Sequence, residues 1–396
     1  MYLDYSSTTP VDSHVIDAMT PYMRREFGNA AAAHSFGQRV TDPIETARRN
    51  LMELVGAKHP DEIVFTSGGT ESNNLAIKGV AYANEHRGRR VLVSKIEHPS
   101  VLRSAEWLAT RGFAVQFIDV DRYGTIDLDQ MADAITADTV LVSVMHSNNE
   151  LGTIQPIESI SELCKSRGVC FHTDAVQSAG KVALNVESLN VDLMSVSAHK
   201  FYGPKGVGAL YVRRGTTIES IHHGGYHEKG RRAGTLNVPG IVGLGAAAEL
   251  AGRRLVADAD RMARLRDMLE VGLRERINDM SVNGNPHSRL PNLLNVSFRG
   301  VESEALILGL DMRGIAVLGG SACSSQAQGI SHVLDAVGMD PELARGSLRF
   351  SLGRYTTSRQ ILRVLEIVPD VVKRLRRTGP MVHTKKNDRT DHILPD

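Results

Sequence analysis

Between residues 63 and 213 short β-branched apolar runs alternate with longer segments of helical spacing, and this alternation constrains the fold more than any other feature. The runs are Ile63–Thr66, Val91–Ser94, Val115–Ile118, Val140–Met145, Val169–Thr173, Leu193–Ser197 and Val207–Val212. Segments such as Ser72–Ala83 and Ile157–Ser166 carry apolar residues at helical intervals between them. Near-continuous apolar strands separated by helices predict an α/β fold with a seven-stranded, mainly parallel sheet covered on both faces. The connection from Ser197 to Val207 is too short for a helix, so the last two runs are expected to pair as a hairpin and make the sheet mixed.

The pattern changes near residue 250. Asp258–Ile277 reads as a charged amphipathic helix, with Met262, Leu265, Leu269, Leu273 and Ile277 on one face. The runs Leu293–Phe298 and Leu348–Ser351 follow as strands of a smaller α/β unit. The expected division is a large domain over 16–255, a small domain formed by 1–15 and 256–377, and a polar tail over 378–396.

Charge and cysteine content narrow the function classes. A net charge of +1 gives no electrostatic footprint for direct nucleic acid binding. No apolar stretch is long enough to span a membrane, and the start Met1-Tyr2-Leu3-Asp4-Tyr5 does not read as a signal or transit peptide. Three widely spaced cysteines do not form a disulfide framework, which suits a reducing cytoplasm.

Lys200 carries the first chemical signal. It follows the strand run Leu193–Ser197 within Ser197-Ala198-His199-Lys200-Phe201-Tyr202-Gly203-Pro204-Lys205-Gly206. A lysine in a glycine-rich turn is ordinarily a surface residue, and Lys205 fits that description better. Asp174, at the end of another buried run, is either a helix N-cap or an acid facing a cationic partner. A lysine and an acid at the mouths of two buried strands suggest a pyridoxal 5'-phosphate site. The amine would form the Schiff base, and the acid would keep the ring nitrogen protonated. Gln177 could donate to the phenolic oxygen of that cofactor.

Other segments add to the same site. Ser67-Gly68-Gly69-Thr70-Glu71-Ser72 joins a strand to a helix and offers backbone N–H groups to a phosphate. His98 follows the strand Val91–Ser94, where an imidazole could stack on a flat ring and move protons. Cys323 lies in Gly320-Ser321-Ala322-Cys323-Ser324-Ser325, which reads as an exposed, mobile loop and makes its thiol a candidate nucleophile. Cys164, on a helical pattern, and Cys170, inside a strand, read as core residues. Arg349, in an alternating strand, is either a carboxylate clamp or a salt-bridged strand residue. The histidines His222, His223 and His227 lack further ligands at metal spacing, so no metal is expected.

Taken in order, these segments closely resemble the cysteine desulfurases of the NifS/IscS type, in the class V aminotransferase branch of the fold-type I pyridoxal phosphate enzymes. The resemblance runs from Tyr2-Leu3-Asp4-Tyr5 to about Arg376. It rests on Thr8-Thr9-Pro10, the stretches Phe65–Asn73 and Met145–Gly152, Glu97-His98, His172-Thr173-Asp174-Ala175-Val176-Gln177 and the Lys200 segment. Gly234-Thr235-Leu236, the Cys323 loop and Arg349–Arg354 complete it.

The resemblance implies that Lys200, Asp174 and Gln177 hold the cofactor and that His98 stacks on it. It implies a phosphate site of Gly69, Thr70, Ser197 and His199, with Thr235 reaching in from a second subunit of a homodimer. Asn149, also beside the cofactor, and Arg349 would hold the carboxylate of the substrate L-cysteine. Cys323 would attack the substrate sulfur, keep it as a persulfide, release alanine, and pass the sulfur to an acceptor protein. That acceptor would be an iron–sulfur scaffold or a thiolation protein. His98 would take a proton from the substrate thiol or from Cys323.

The long cysteine loop resembles group I members. Ser6-Ser7, Tyr226, Ala233 and Val176 depart from common residues of the family without removing a catalytic group. The tail from Pro380 also differs from the ending expected of housekeeping members, which bears on the acceptor. The rival readings are a selenocysteine lyase, another pyridoxal phosphate enzyme that would not need Cys323, and an inactive scaffold with the same fold.

Overall fold

The computed structural model describes residues 1–319 and 330–378. Seven strands form the larger sheet: β1 (Ile63–Thr66), β2 (Arg90–Ser94), β3 (Ala114–Ile118), β4 (Thr139–Ser143), β5 (Cys170–Asp174), β6 (Leu193–Ser197) and β7 (Gly208–Val212). Their order is β1-β7-β6-β5-β4-β2-β3. Pairing is parallel throughout, except that β7 runs antiparallel to both neighbours, β6 and β1. The expected hairpin is therefore present, and the sheet is mixed for the expected reason. Strand β4 stops at Ser143, before the predicted Met145, although Val144 N–H still donates to His172 O at 3.1 Å.

Every side chain of β4, β6 and β7 is buried, as expected of a sheet covered on both faces. One layer includes the helix Ser35–Val55, whose Val40, Ile44, Ala47, Leu51 and Val55 form its buried stripe. It packs on the first half of the helix Val238–Arg276 so closely that a Cβ on Gly245 would lie 2.4 Å from Ala47 Cα. The other layer includes the helices Gly69–Ala83 and Pro99–Ala109, through Leu75, Ile77, Val80, Val101 and Leu108. Fully burying an aliphatic side chain of this size contributes about 1.5–3 kcal/mol.

A second, antiparallel sheet contains β8 (Met280–Asn283), β9 (Leu293–Phe298), β10 (Leu318–Gly319) and β11 (Ser347–Ser351), ordered β10-β11-β9-β8. The start of the chain runs beside it, with Asp4 bridged to Ser351 and Leu3 wholly buried in its core. The helix expected to begin at Asp258 begins at Val238 and runs unbroken to Arg276. The change near residue 250 is therefore a change of packing partner within one helix. Its first half adds Ile241, Leu244 and Ala248 to the core of the large sheet, and its second half adds Leu265, Leu269 and Leu273 to the second core. Among the described residues no helix is long and apolar enough to cross a membrane.

Candidate active site

The carboxyl ends of the parallel strands open on one cavity of about 300 Å³, where ligands bind in sheets of this kind. It is lined by Ser7, Gly69, Thr70, Asn73, His98, Ser100, Met145, Asn149, Asp174, Val176, Gln177, Ser197, His199 and Lys200. The sequence-predicted Lys200, Asp174, Gln177, His98, Asn149, Gly69, Thr70, Ser197 and His199 thus converge on it. Cys323 lies outside the described residues. Thr235 is exposed and lines no part of this cavity, and Tyr226, at 85% exposure, stands away from it too.

Lys200 ends a short 3₁₀ turn, Ala198–Lys200, directly after β6. Its Nζ donates to Ser6 O at 2.5 Å and to Ser7 O at 2.8 Å. The turn is pinned from the N-terminal segment, where Thr9 N–H donates to His199 O at 2.9 Å and Tyr202 N–H donates to Thr9 Oγ1 at 2.8 Å. Tyr202 takes a φ of 70°, and Arg354 stacks over its ring at 4.3 Å. Arg354 is buried and held by Asp12 and Asp258, so the lysine turn is tied to the long helix and to the end of β11. Lys205 is exposed in the turn, as expected.

Asp174 is the last residue of β5 and is buried. Its Oδ1 accepts from Val176 N–H at 2.9 Å, and its Oδ2 accepts from Asn73 Nδ2 at 2.7 Å. Gln177 donates its amide to Ser6 O at 2.9 Å, while its Oε1 is buried without a partner. Glu97 is fully buried, and burial, then the nearby Asp174, raise its pKa well above the carboxylate range. His199 is pushed down to about 4 by burial and then by Lys200, Lys205 and Lys181. It therefore stays neutral at pH 7.

The glycine turn before the helix Gly69–Ala83 forms a cradle. Glu71 closes it by accepting from Ser67 N–H at 2.8 Å, and Arg232 in turn pairs with Glu71 at 2.7 Å. Helix N-termini carry free N–H groups and partial positive charge, so anions bind there. Ser197 and His199 flank the same turn across an adjoining cleft. Gly208 on β7 makes room for it: a Cβ there would sit 2.6 Å from Val196 O and 2.7 Å from Gly68 Cα. Gly208→Ala is therefore expected to destabilise the fold by about 1–3 kcal/mol and to weaken cofactor binding. Thermal unfolding and a pyridoxal phosphate titration would check both effects; an unchanged titration would mean the turn is not the phosphate cradle.

Arg349 sits on β11 and is buried at 4% exposure. It is salt-bridged to Asp4 at 2.8 Å, which is the strand-arginine arrangement. The guanidinium lies behind the cavity wall and not in it, but it also donates to Asn149 O at 2.8 Å and Ser7 Oγ at 2.9 Å, both from wall residues.

Asn73 and Ser100 had no role assigned from sequence. Asn73 lies one helical turn beyond Gly69, and that spacing of four was a usable signal. Ser6 and Ser7 had no such signal, because their carbonyls meet Lys200 only through the fold. Among the described residues no three His, Cys, Asp or Glu side chains gather as a metal site.

The residues present fit pyridoxal phosphate. A buried carboxylate, an unpaired amide oxygen, a lysine amine and an anion cradle all face one space.

Comparison with known proteins points the same way. The family model of class V aminotransferases matches residues 1–364. The cysteine desulfurase IscS of Dictyoglomus turgidum is 47% identical over 380 residues, covering 96% of each chain. A solved structure described as a NifS-like protein superposes with a TM-score of 0.89 at 38% identity, covering 94% of this chain and 99% of that one. A solved structure of SspA in complex with cysteine superposes with a TM-score of 0.80 at 36% identity, covering 90% of this chain and 99% of that one.

Proposed function

Because this chain belongs to the class V aminotransferase family and is a pyridoxal-phosphate-dependent cysteine desulfurase, we propose that the cavity at the strand ends binds both cofactor and L-cysteine and that Cys323 receives the sulfur. The observation that carries this reading is the arrangement of Lys200 and Asp174. They stand just past and at the carboxyl ends of two neighbouring parallel strands and line the same cavity.

When bound, the cofactor supplies an electron sink that labilises the substrate's Cα proton and its bond to sulfur. Lys200 would anchor it and would handle the Cα proton. Asp174, its carboxylate fixed by Val176 and Asn73, would hold the ring nitrogen. Gln177 would meet the phenolic oxygen, and His98 would lie against the ring. Gly69, Thr70, Ser197 and His199 would hold the phosphate. Asn149 would hold the substrate carboxylate from the cavity wall, and Arg349 would act on it from behind that wall, through its bonds to Asn149 O and Ser7 Oγ. Thr235, exposed on its own chain, completes the phosphate site of a second copy, so the working unit is a homodimer.

The division into 16–255 and 1–15 with 256–377 is supported by the second core, which joins Leu3 to residues between Leu265 and Val372, while Val15 packs in the first core. The unpaired cysteines Cys164 and Cys170 suit a cytoplasmic protein. The persulfide passes to an iron–sulfur scaffold or a thiolation protein, the former suggested by the name IscS of the relatives.

The test is turnover. Purified protein with pyridoxal phosphate and L-cysteine should form alanine and protein-bound sulfur in equal amounts. No alanine from cysteine, with alanine formed from selenocysteine, would overturn the reading in favour of a selenocysteine lyase.

A further inference from the structure

His98 lines the cavity, and its Nδ1 is tied to the buried Ser100. Its Nδ1 lies 3.1 Å from Ser100 N and 2.8 Å from Ser100 Oγ. A backbone N–H can only donate, so Nδ1 must present a lone pair to it. The hydroxyl has the same polarity. Ser100 Oγ accepts from Asn73 Nδ2 at 2.8 Å, and the same amide nitrogen donates to Asp174 Oδ2 at 2.7 Å. An ionised carboxylate only accepts, which fixes which end of Asn73 is the nitrogen. With one lone pair occupied by Asn73, the Ser100 hydroxyl turns its own hydrogen to Nδ1. Asn73 therefore donates in both directions, to Asp174 and to Ser100, and Ser100 passes its own hydrogen on to His98. Asn73 and Ser100 are both buried.

We infer that Ser100 and Asn73 are positioning residues that hold His98 as the neutral Nε2–H tautomer, so that His98 meets the cavity as a hydrogen-bond donor and not as a base. A neutral imidazole with Nδ1 already occupied has no lone pair left to take a proton from substrate. What it offers is an N–H aimed at negative charge, such as that on a substrate thiolate or a cofactor oxygen. This reverses the proton direction expected of His98 from sequence. It rests on the proposed assignment of the cavity to cofactor and cysteine.

The charged and titratable groups around the imidazole fit this state on balance. Loss of bulk solvation comes first and lowers its pKa; Asp174 opposes, while Lys200 and His332 add to the lowering. His332 reaches in from a different element, with its Nε2 3.0 Å from Glu97 O.

The test is ¹⁵N NMR of histidine-labelled protein, with and without pyridoxal phosphate, with the His98 signals identified by their loss in His98→Gln. Wild type should show a protonated Nε2 and an unprotonated Nδ1 at pH 7. Ser100→Ala removes a donor to the neutral form, so the His98 pKa should rise by about half to one unit. Ser100→Thr, which keeps the hydroxyl, should restore it. A protonated Nδ1 in wild type, or an unmoved pKa in Ser100→Ala, would overturn the inference. Because the readout is not turnover, the outcomes separate. The expected tautomer without alanine formation would count against the proposed function alone. Alanine formation with the opposite tautomer would count against this inference alone.

Discussion

Lys200→Ala should abolish cysteine turnover, with kcat falling by about 10³-fold or more, and should remove the visible absorption of lysine-linked cofactor. The size follows from two roles held by one amine. In the proposed mechanism it forms the covalent anchor and handles the Cα proton, a task that by itself contributes about 10²–10⁴-fold. The fold should survive, because the turn is held by Thr9, His199 and Tyr202 and not by the lysine side chain. The measurement is a pyridoxal phosphate titration followed by absorbance, with alanine assayed alongside.

A rival anchor makes this result decisive. Lys181 is buried, donates to Gln177 O at 2.8 Å, and is pushed down to about 7 by burial and then by Lys200. At neutral pH a fraction of it is an uncharged amine. If Lys181 were the true anchor, the Lys200→Ala protein would keep its absorption band and its turnover, and the Lys200 assignment would fall.

What the sequence revealed, and what it hid, follows physical range. Strands β1 and β6 and the helix Ile157–Ser166 match the predicted boundaries because their signal is local, a run of β-branched residues or one apolar stripe. Asp174 and Lys200 were legible for a related reason. Each sits beside such a run, and the topology of a parallel sheet sends both strand ends to one side. The helix Val238–Arg276 was read only in its second half. Its first half buries Ile241, Leu244 and Ala248 among many glycines and alanines, a weaker signal, because the helix Ser35–Val55 packs directly on its backbone. The pairing of Arg349 with Asp4 spans almost the whole chain, and no periodicity encodes it. Ser100 was visible as a residue, but its role needed Asn73, Asp174 and His98 in one place.

Cys323→Ser should leave cofactor binding intact and end persulfide formation, with alanine release from cysteine falling by at least about 10²-fold. A serine hydroxyl cannot replace a thiol whose reactive form is accessible near neutral pH. The other two thiols cannot take over. Cys164 is buried and its thiol is pushed up to about 12, by burial first and then by Asp192. Cys170, only partly exposed at the start of β5 and not the fully buried core residue expected, is raised well above the usual thiol range by loss of solvation and then by Asp192. The chain has three cysteines, and with two held as inert thiols the third is the proposed sulfur acceptor. The residues on either side of 320–329 support this placement. Leu318 pairs with Arg349 across β10 and β11. After the segment, Ser331 Oγ donates to Glu150 Oε2 at 2.6 Å, and His332 meets the carbonyl of Glu97, next to His98. The chain therefore leaves and re-enters the described structure beside Asn149, Arg349 and His98. Mass spectrometry of cysteine-treated protein should find the added sulfur on the peptide containing Cys323; sulfur on Cys164 or Cys170, or undiminished alanine release from Cys323→Ser, would remove Cys323 from the reaction.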